Sequence, residues 1–144
     1  MTAVRGPALH RGDCIGIAAP ATHDEGQDIS VAVDRLEQAG YRVKLMPTVT
    51  GSYGFFAGTD EERARDVNAL FHDDDVKAIL CLNGGYGSAR ILDKLDYDYI
   101  AAHPKLVIGF SDVTALQIAL WEKCRLVTAN GPLMVTLGLS LIHI

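Results

Sequence analysis

The chain has 144 residues, of which 49% are hydrophobic, and 13 lysine and arginine residues against 18 aspartate and glutamate residues give it a net charge of −5. A chain of about this length buries roughly 70% of the surface that its unfolded form exposes, so it needs neither disulfides nor a structural metal to fold. The acidic balance and the scattered basic residues argue against binding to nucleic acid.

The chain also lacks sequence signals for a membrane or a secretory route. No apolar run approaches the roughly 18 residues that a membrane span needs, and residues 1–11 have no apolar core of a signal peptide. We therefore expect no membrane partner and a cytoplasmic location. Cys14, Cys81 and Cys124 are odd in number, widely spaced and set in apolar sequence, which predicts reduced thiols in the core.

Short apolar runs alternate with amphipathic stretches along the whole chain. The predicted strands are residues 14–19, 42–46, 77–82, 106–109 and 126–129, and the predicted helices are residues 27–38, 60–72, 88–94 and 112–123. Such alternation is typical of repeated βα units, and strands that are apolar on both faces belong in a covered parallel sheet. The sequence predicts an α/β fold of three layers, with helices on both faces of a mostly parallel sheet.

Local signals support two of the helix boundaries. Thr59 stands three residues before Glu62, which predicts a capping box at the start of the helix 60–72, and Gly40 is placed to end the helix 27–38. The longest region without a clear element is 47–58, which contains three glycines and three aromatic residues. We expect a functional loop there.

The segment 83–88, Asn-Gly-Gly-Tyr-Gly-Ser, follows a predicted strand and leads into a predicted helix. Its glycines allow a tight turn that presents backbone N–H groups to an anion. The third glycine of the dinucleotide fingerprint is missing, and no Lys-Ser or Lys-Thr pair follows as in a P-loop. Taken alone, the segment fits either a nucleotide-binding turn or a plain connection without a ligand.

Ser111 lies at a second junction of this kind, between the strand 106–109 and the helix 112–123. A serine on a sharp turn at a helix start is exposed beside N–H groups that can stabilise an oxyanion, as in a nucleophile elbow. The match to G-x-S-x-G is partial because Val113 replaces the second glycine. The alternative is that Ser111 or Asp112 simply caps the helix.

Together the two loops suggest a nucleophile beside an oxyanion hole, which is the pairing that acyl transfer needs. A general base is harder to find. His10, His72 and His103 fall near the amino ends of strands, His23 heads a polar loop after the first strand, and His143 lies in the last residues. The spacing of acidic residues, cysteines and histidines predicts no metal site.

Five stretches carry a resemblance to a known family: GDCIGIAAP at 12–20, FAGTDEERA at 56–64, GGYGS at 84–88, IGFSDVTAL at 108–116, and the Gly-Pro pair at 131–132. In this order over about 120 residues they resemble the LD-carboxypeptidase family of serine peptidases. That family includes muramoyl-tetrapeptide carboxypeptidases and the microcin C self-immunity proteins.

The resemblance implies that Ser111 is the nucleophile of a Ser-Glu-His triad and that the N–H groups of Gly85 and Asp112 form the oxyanion hole. It also implies that Gly84, Tyr86 and Gly87 bind substrate, that no cofactor is needed, and that the partner molecule is a murein peptide. The implied reaction removes the terminal D-amino acid from murein tetrapeptide during peptidoglycan recycling. The full-length protein is expected to form a homodimer.

The resemblance further implies a flavodoxin-like or glutamine-amidotransferase-like N-terminal domain at residues 1–138, followed by a tail, 139–144, that does not match the family. The resemblance implies that the glutamate and the histidine lie in a C-terminal domain. We expect this chain to be an N-terminal fragment that lacks that domain and is inactive alone. The sequence departs from the family at Asn83, where an arginine is common, and near Cys124-Arg125, where a glycine is common. Two alternatives remain: an amide hydrolase of the self-immunity type that acts on peptidyl or aminoacyl nucleotides, and a non-catalytic anion-binding domain.

Overall fold

A five-stranded parallel sheet forms the centre of the chain, whose computed structural model describes residues 2–24 and 26–139. The strand order is β2-β1-β3-β4-β5, and all four pairings between these strands are parallel. The strands are β1 (Cys14–Ala18), β2 (Arg42–Leu45), β3 (Val76–Cys81), β4 (Leu106–Gly109) and β5 (Ala129–Asn130). The predicted α/β class is confirmed, whereas His143 and most of the predicted tail lie outside the described residues.

Helices cover both faces of this sheet. The α-helices are α1 (Ser30–Gln38), α2 (Asp60–His72), α3 (Tyr97–Ala102), α4 (Thr114–Cys124) and α5 (Met134–Leu137), and three 3₁₀ helices span Pro47–Thr50, Ser88–Lys94 and Ser111–Val113. No helix in the described ranges is both long and apolar enough to cross a lipid bilayer.

Each face of the sheet packs against its own hydrophobic cluster. Alternate residues of β1 enter them: Ile15 and Ile17 pack in one cluster with Ala32 of α1, and Cys14 and Ala18 pack in the other with residues of α2 and α4. Successive side chains of a strand point to opposite faces, so a strand with apolar residues throughout serves both clusters. The predicted three-layer arrangement follows from this alternation.

The predicted boundary signals are confirmed at two helices. The Thr59 hydroxyl accepts the Glu62 N–H at 3.2 Å and the Glu62 carboxylate accepts the Thr59 N–H at 2.9 Å, so both halves of the capping box form. Gly40 follows α1 with a φ of +97°, the left-handed conformation in which glycine commonly ends a helix.

Other boundaries differ from prediction. The last strand is only Ala129–Asn130, because Leu126 instead bridges Val4 and the Val127 N–H bonds to the Val4 carbonyl. Helix α1 begins at Ser30 rather than residue 27, and the segment predicted as the helix 88–94 is a 3₁₀ helix. The predicted helix 112–123 is divided into a 3₁₀ turn and α4.

Two features of the connections were not predicted. Helix α3 is an additional element, and its start is marked by Asp96, whose carboxylate accepts the Tyr99 N–H at 3.3 Å. Arg125 ends α4 with a φ of 55°, a left-handed conformation that glycine adopts more readily than other residues.

Basic and acidic residues tie together the amino edge of the sheet. Arg42, the first residue of β2, makes two hydrogen bonds to the Asp75 carboxylate at 2.6 and 2.7 Å. Lys105 precedes β4, is buried, and donates to the carbonyls of Leu70 and Asp73 at 2.7 and 2.5 Å. These contacts join strands and the loops between them at the end of the sheet opposite the glycine loop.

Candidate active site

The two loops singled out in the sequence meet at the carboxyl edge of the sheet. Strands β3 and β4 are hydrogen-bonded neighbours, so the loops that follow them emerge side by side. A Cβ atom placed on Gly84 would lie 3.2 Å from the Ser111 Cβ and 3.7 Å from the Asp112 backbone nitrogen. The structure therefore brings the predicted nucleophile, one predicted oxyanion donor and the glycine loop into contact.

Ser111 occupies a strained, exposed turn. Its φ is 62°, a conformation that costs an L-residue roughly 1–2 kcal/mol, and the preceding Phe110 is fully extended. The N-cap positions are Phe110 for the 3₁₀ turn and Val113 for α4, so the interpretation of Ser111 or Asp112 as a simple N-cap is wrong. A serine that is exposed on a strained strand-to-helix turn has the geometry of a nucleophile elbow.

Two positions of the loop, Gly85 and Gly87, accept only glycine. Gly85 has a φ of +88° and a Cβ there would lie 2.6 Å from the Thr22 side chain, while Gly87 has a φ of +121° and a Cβ there would lie 2.8 Å from the Phe56 ring. Both positions combine a backbone conformation that side chains rarely adopt with neighbours that leave no space. The loop is thus packed between the segment after β1 and the loop before α2.

Thr22 and Asn83 hold the beginning of the loop. The Thr22 hydroxyl donates to the Gly84 carbonyl at 2.6 Å, and the Thr22 N–H donates to the same oxygen at 3.2 Å. The Asn83 amide donates to the His23 carbonyl at 3.0 Å and accepts the Gly84 N–H at 2.9 Å. Asn83 thus fixes the backbone of two loops.

Asp112 and Arg63 hold the end of the loop. The Asp112 carboxylate accepts the Ser88 N–H at 2.8 Å, and Arg63 donates to the Gly87 carbonyl at 2.9 Å. Ser88 is fully buried, and its hydroxyl oxygen has no hydrogen-bond partner within the described ranges. The end of the glycine loop is therefore bound on two sides, while one buried hydroxyl remains unsatisfied.

Aromatic and charged side chains flank the loop. The ring of exposed Tyr86 lies 6.0 Å from the ring of Phe56. The Arg90 guanidinium lies over the Phe56 ring, 5.3 Å from its centroid, and makes two hydrogen bonds of 2.9 Å to Asp60. A cavity of about 200 Å³ beside them is lined by Tyr53, Phe56, Thr59, Asp60, Glu61 and Arg90. Tyr86 and this cavity offer an apolar surface and a polar surface next to the glycine loop.

Three of the described histidines lie at the two ends of the sheet. His72 and His103 precede β3 and β4 and stack on either side of Tyr99, with ring centroids 3.6 and 3.9 Å away, so they lie at the amino edge. His23 follows β1 at the carboxyl edge, and its backbone N–H donates to the Phe55 carbonyl at 3.4 Å. Among residues 2–24 and 26–139, no group of three acidic, cysteine or histidine side chains is placed to hold a metal ion.

Sequence reasoning missed Thr22 and Arg63. The helical pattern contains a signal for Arg63, because it stands four and seven residues before the buried Val67 and Leu70 and therefore shares the inward face of α2. Its burial went unnoticed because arginine is seldom fully buried. Thr22 offers no such signal, since its role depends on contacts with a loop 62 residues away.

Most of the chain is similar to a known family of proteins. Residues 15–131 match the N-terminal domain of the LD-carboxypeptidases. Over 137 residues the chain is 40% identical to the "Probable murein peptide carboxypeptidase" of Bacillus subtilis (strain 168), covering 94% of this chain and 43% of that protein. Over 128 residues it is 37% identical to the microcin C7 self-immunity protein MccF of Escherichia coli, covering 86% of this chain and 37% of that protein.

The fold is also found in a solved structure. The crystal structure of an MccF-like protein from Bacillus anthracis str. Ames superimposes with a TM-score of 0.92 and 34% sequence identity, covering 96% of this chain and 43% of that one. The chain therefore spans less than half the length of the relatives that it matches.

Proposed function

Because this chain belongs to the LD-carboxypeptidase family, we propose that it provides the nucleophile of a serine-type peptidase that removes the terminal D-amino acid from murein tetrapeptide. The conformation of Ser111 is the observation that carries the proposal: a serine with a φ of 62°, exposed at the carboxyl edge of the sheet and in contact with a glycine-rich loop. Strained residues of this kind cluster at active sites, and this one lies where the ligands of parallel sheets bind.

The chemistry proceeds in two steps. The Ser111 oxygen attacks the carbonyl carbon of the scissile amide, and the N–H groups of Gly85 and Asp112 stabilise the resulting oxyanion. The histidine of the triad accepts the serine proton and passes it to the departing amine as the C–N bond breaks, and water then hydrolyses the ester. By the family resemblance, this histidine and the glutamate that orients it come from a C-terminal domain.

The glycine loop also contacts the substrate in this proposal. Gly84 and Gly87 allow the backbone to approach the murein peptide closely, and the exposed ring of Tyr86 packs against its apolar part. The reaction needs no cofactor, because the triad and the oxyanion hole supply all of its acid–base and electrostatic steps. We place the reaction in the cytoplasm and expect the full-length enzyme to be a homodimer.

Substitution of the nucleophile tests the proposal. In the full product of the gene, Ser111→Ala should lower the turnover of murein tetrapeptide about 10⁴-fold or more, with the fold unchanged by circular dichroism. Asp34→Asn, at an exposed position of α1, should leave turnover unchanged. Turnover near the wild-type rate in the Ser111 variant would exclude this serine as the nucleophile. The 144-residue chain by itself should show no activity above that of its own Ser111→Ala variant.

The similarity to MccF and to the MccF-like structure favours a second candidate substrate, a peptidyl or aminoacyl nucleotide. The same serine chemistry would cleave its amide bond. Murein tetrapeptide and an aminoacyl sulfamoyl adenosine, offered separately to the full gene product, distinguish the two candidates. Turnover of the nucleotide conjugate alone would replace the murein substrate and leave the role of Ser111 in place.

A further inference from the structure

One peptide group in the glycine loop is held at both of its polar atoms. The carbonyl of Gly87 accepts a hydrogen bond from Arg63 at 2.9 Å, and the N–H of Ser88, on the other side of the same peptide bond, donates to the Asp112 carboxylate at 2.8 Å. A cation therefore binds the negative end of this peptide dipole and an anion binds its positive end. Hydrogen bonds to charged groups are roughly twice as strong as those between neutral groups.

Arg63 is built into the protein rather than placed on its surface. Its side chain is fully buried, donates to the carbonyls of Pro20 and Gly58 at 2.5 and 3.0 Å, and also pairs with Asp60. Burial lowers the pKa of the Arg63 guanidinium, and the negative charges of Asp60 and Asp112 oppose that shift. One planar group thus connects the segment after β1, the loop before α2 and the glycine loop.

Asp112 connects the same peptide group to the elbow. It directly follows Ser111, and its own N–H is one of the two oxyanion donors in the proposed mechanism. Its carboxylate reaches back to Ser88 across the space between the loops after β3 and β4. The position of the glycine loop is therefore fixed relative to the nucleophile by a side chain that belongs to the elbow itself.

We propose that Arg63 and the Asp112 carboxylate are positioning residues that hold the Gly87–Ser88 peptide, and through it the Gly85 N–H, at a fixed place beside Ser111. This proposal rests on the proposed function. Gly85 and Gly87 have positive φ angles, and glycines resist displacement weakly, so the loop needs outside contacts to stay in one conformation. Displacement of a catalytic group by about 1 Å can cost on the order of 100-fold in rate.

Kinetic analysis of variants in the full gene product tests this role. Arg63→Lys keeps the charge but loses the planar set of donors, and Asp112→Ala removes the acceptor. Both should lower kcat about 10- to 100-fold and leave KM within about 3-fold, because the oxyanion donors act mainly in the transition state. Asp112→Asn retains an oxygen acceptor for the Ser88 N–H and should recover most of the lost kcat.

The matched control is Arg65→Lys on the same helix. Arg65 is exposed and pairs with Asp66 at 3.1 Å, so this change should leave kcat at the wild-type value. Wild-type kcat in Arg63→Lys and Asp112→Ala would overturn the proposal, and so would a loss confined to KM. Equal losses in Asp112→Asn and Asp112→Ala would also overturn it, because the acceptor would then be irrelevant.

Nuclear magnetic resonance of the 144-residue chain keeps the proposal testable if Arg63→Lys fails to fold. The Ser88 amide proton should resonate downfield and exchange slowly with solvent, and Asp112→Ala should shift it upfield and speed its exchange, together with that of the Gly85 amide. No change at either amide would overturn the proposal. Full activity of Ser111→Ala would instead refute the proposed function while leaving this measurement of the loop unaffected.

Discussion

Gly84 lies directly against Ser111: a Cβ atom at Gly84 would be 3.2 Å from the Cβ and 3.4 Å from the Oγ of the serine. The separation is shorter than an ordinary contact. Rotation of the Ser111 side chain moves its Oγ atom but not its Cβ atom, so the backbone must also shift by a small amount. Gly84 also keeps a φ outside the left-handed region, so its backbone accepts an alanine. The glycine is required by the position of the serine hydroxyl rather than by its own conformation.

Gly84→Ala should therefore displace the Ser111 hydroxyl without unfolding the protein. We expect turnover by the full gene product to fall about 10- to 100-fold and the free energy of unfolding to fall by about 1–3 kcal/mol, which leaves the protein folded. Gly138→Ala, whose Cβ would meet its nearest neighbour at 3.5 Å, is the matched control and should alter neither quantity. Unchanged turnover in Gly84→Ala would show that the hydroxyl has a different reacting position.

Ser88→Ala should stabilise the chain. The buried Ser88 hydroxyl has no hydrogen-bond partner in the described part of the chain. It therefore loses its hydrogen bonds to water on folding and gains none in return, and alanine avoids this cost. We expect urea unfolding to give a gain of about 1 kcal/mol, while Ser52→Ala should stay within about 0.5 kcal/mol of the wild type. A loss of stability in Ser88→Ala would mean that a bound water or another group satisfies the hydroxyl.

Acid should destabilise the chain through paired aspartates. Hydrogen bonds from Arg90 lower the pKa of Asp60, and those from Arg42 lower the pKa of Asp75. A carboxyl whose pKa is lower in the folded state stabilises the fold above its unfolded pKa, near 3.9, and loses this contribution as pH falls through the folded pKa. The free energy of unfolding should therefore decline below about pH 4.

Asp60→Asn should reduce this pH dependence. At pH 7 it should also cost about 1–3 kcal/mol, because it weakens charged hydrogen bonds to Arg90 and the buried Arg63. Asp34→Asn, at an exposed position of α1, is the control. An identical pH profile in the wild type and Asp60→Asn would contradict the assigned role of this carboxylate.

Native thiols should resist alkylation. Cys81 is fully buried, and burial raises its pKa to about 12, so hardly any reactive thiolate forms at pH 8. Burial also raises the pKa values of Cys14 and Cys124. Iodoacetamide should label all three rapidly in urea, and should label Cys81 in buffer no faster than the chain unfolds. Rapid labelling of native Cys81, located by mass spectrometry, would contradict its burial.

The sequence allowed the sheet and its outer layers to be predicted because their signals are local. The apolar runs of β1 and β3 and the Thr59–Glu62 capping box depend on residues close together in the chain. The last strand was misplaced because the N-terminal Val4 competes for the pairing of Leu126, a contact across more than a hundred residues. Propensity does not report such competition.

The candidate site was predictable to a similar extent. Ser111 and the glycine loop were found because strand-to-helix junctions in parallel sheets collect functional groups, and their contact follows from the pairing of β3 with β4. The contacts of Arg63 with three loops were not predictable, since each partner is a backbone carbonyl and carbonyls are present at every residue. When a side chain binds a backbone carbonyl, the partner can be any residue type, so the sequence does not identify it.

The ion pair and hydrogen bonds at the amino end of the sheet stabilise the fold, whereas the opposite end carries the candidate active site. Arg42, Asp75 and Lys105 join strands and loops at one end. At the other end, Gly84 of the loop after β3 binds Thr22 of the segment after β1 and lies against Ser111. Substitutions that strengthen or relax the first end need not disturb the second. Thermal stability can therefore change through substitutions at the amino end while substrate specificity changes through substitutions at the carboxyl end. The two kinds of substitution can accumulate independently.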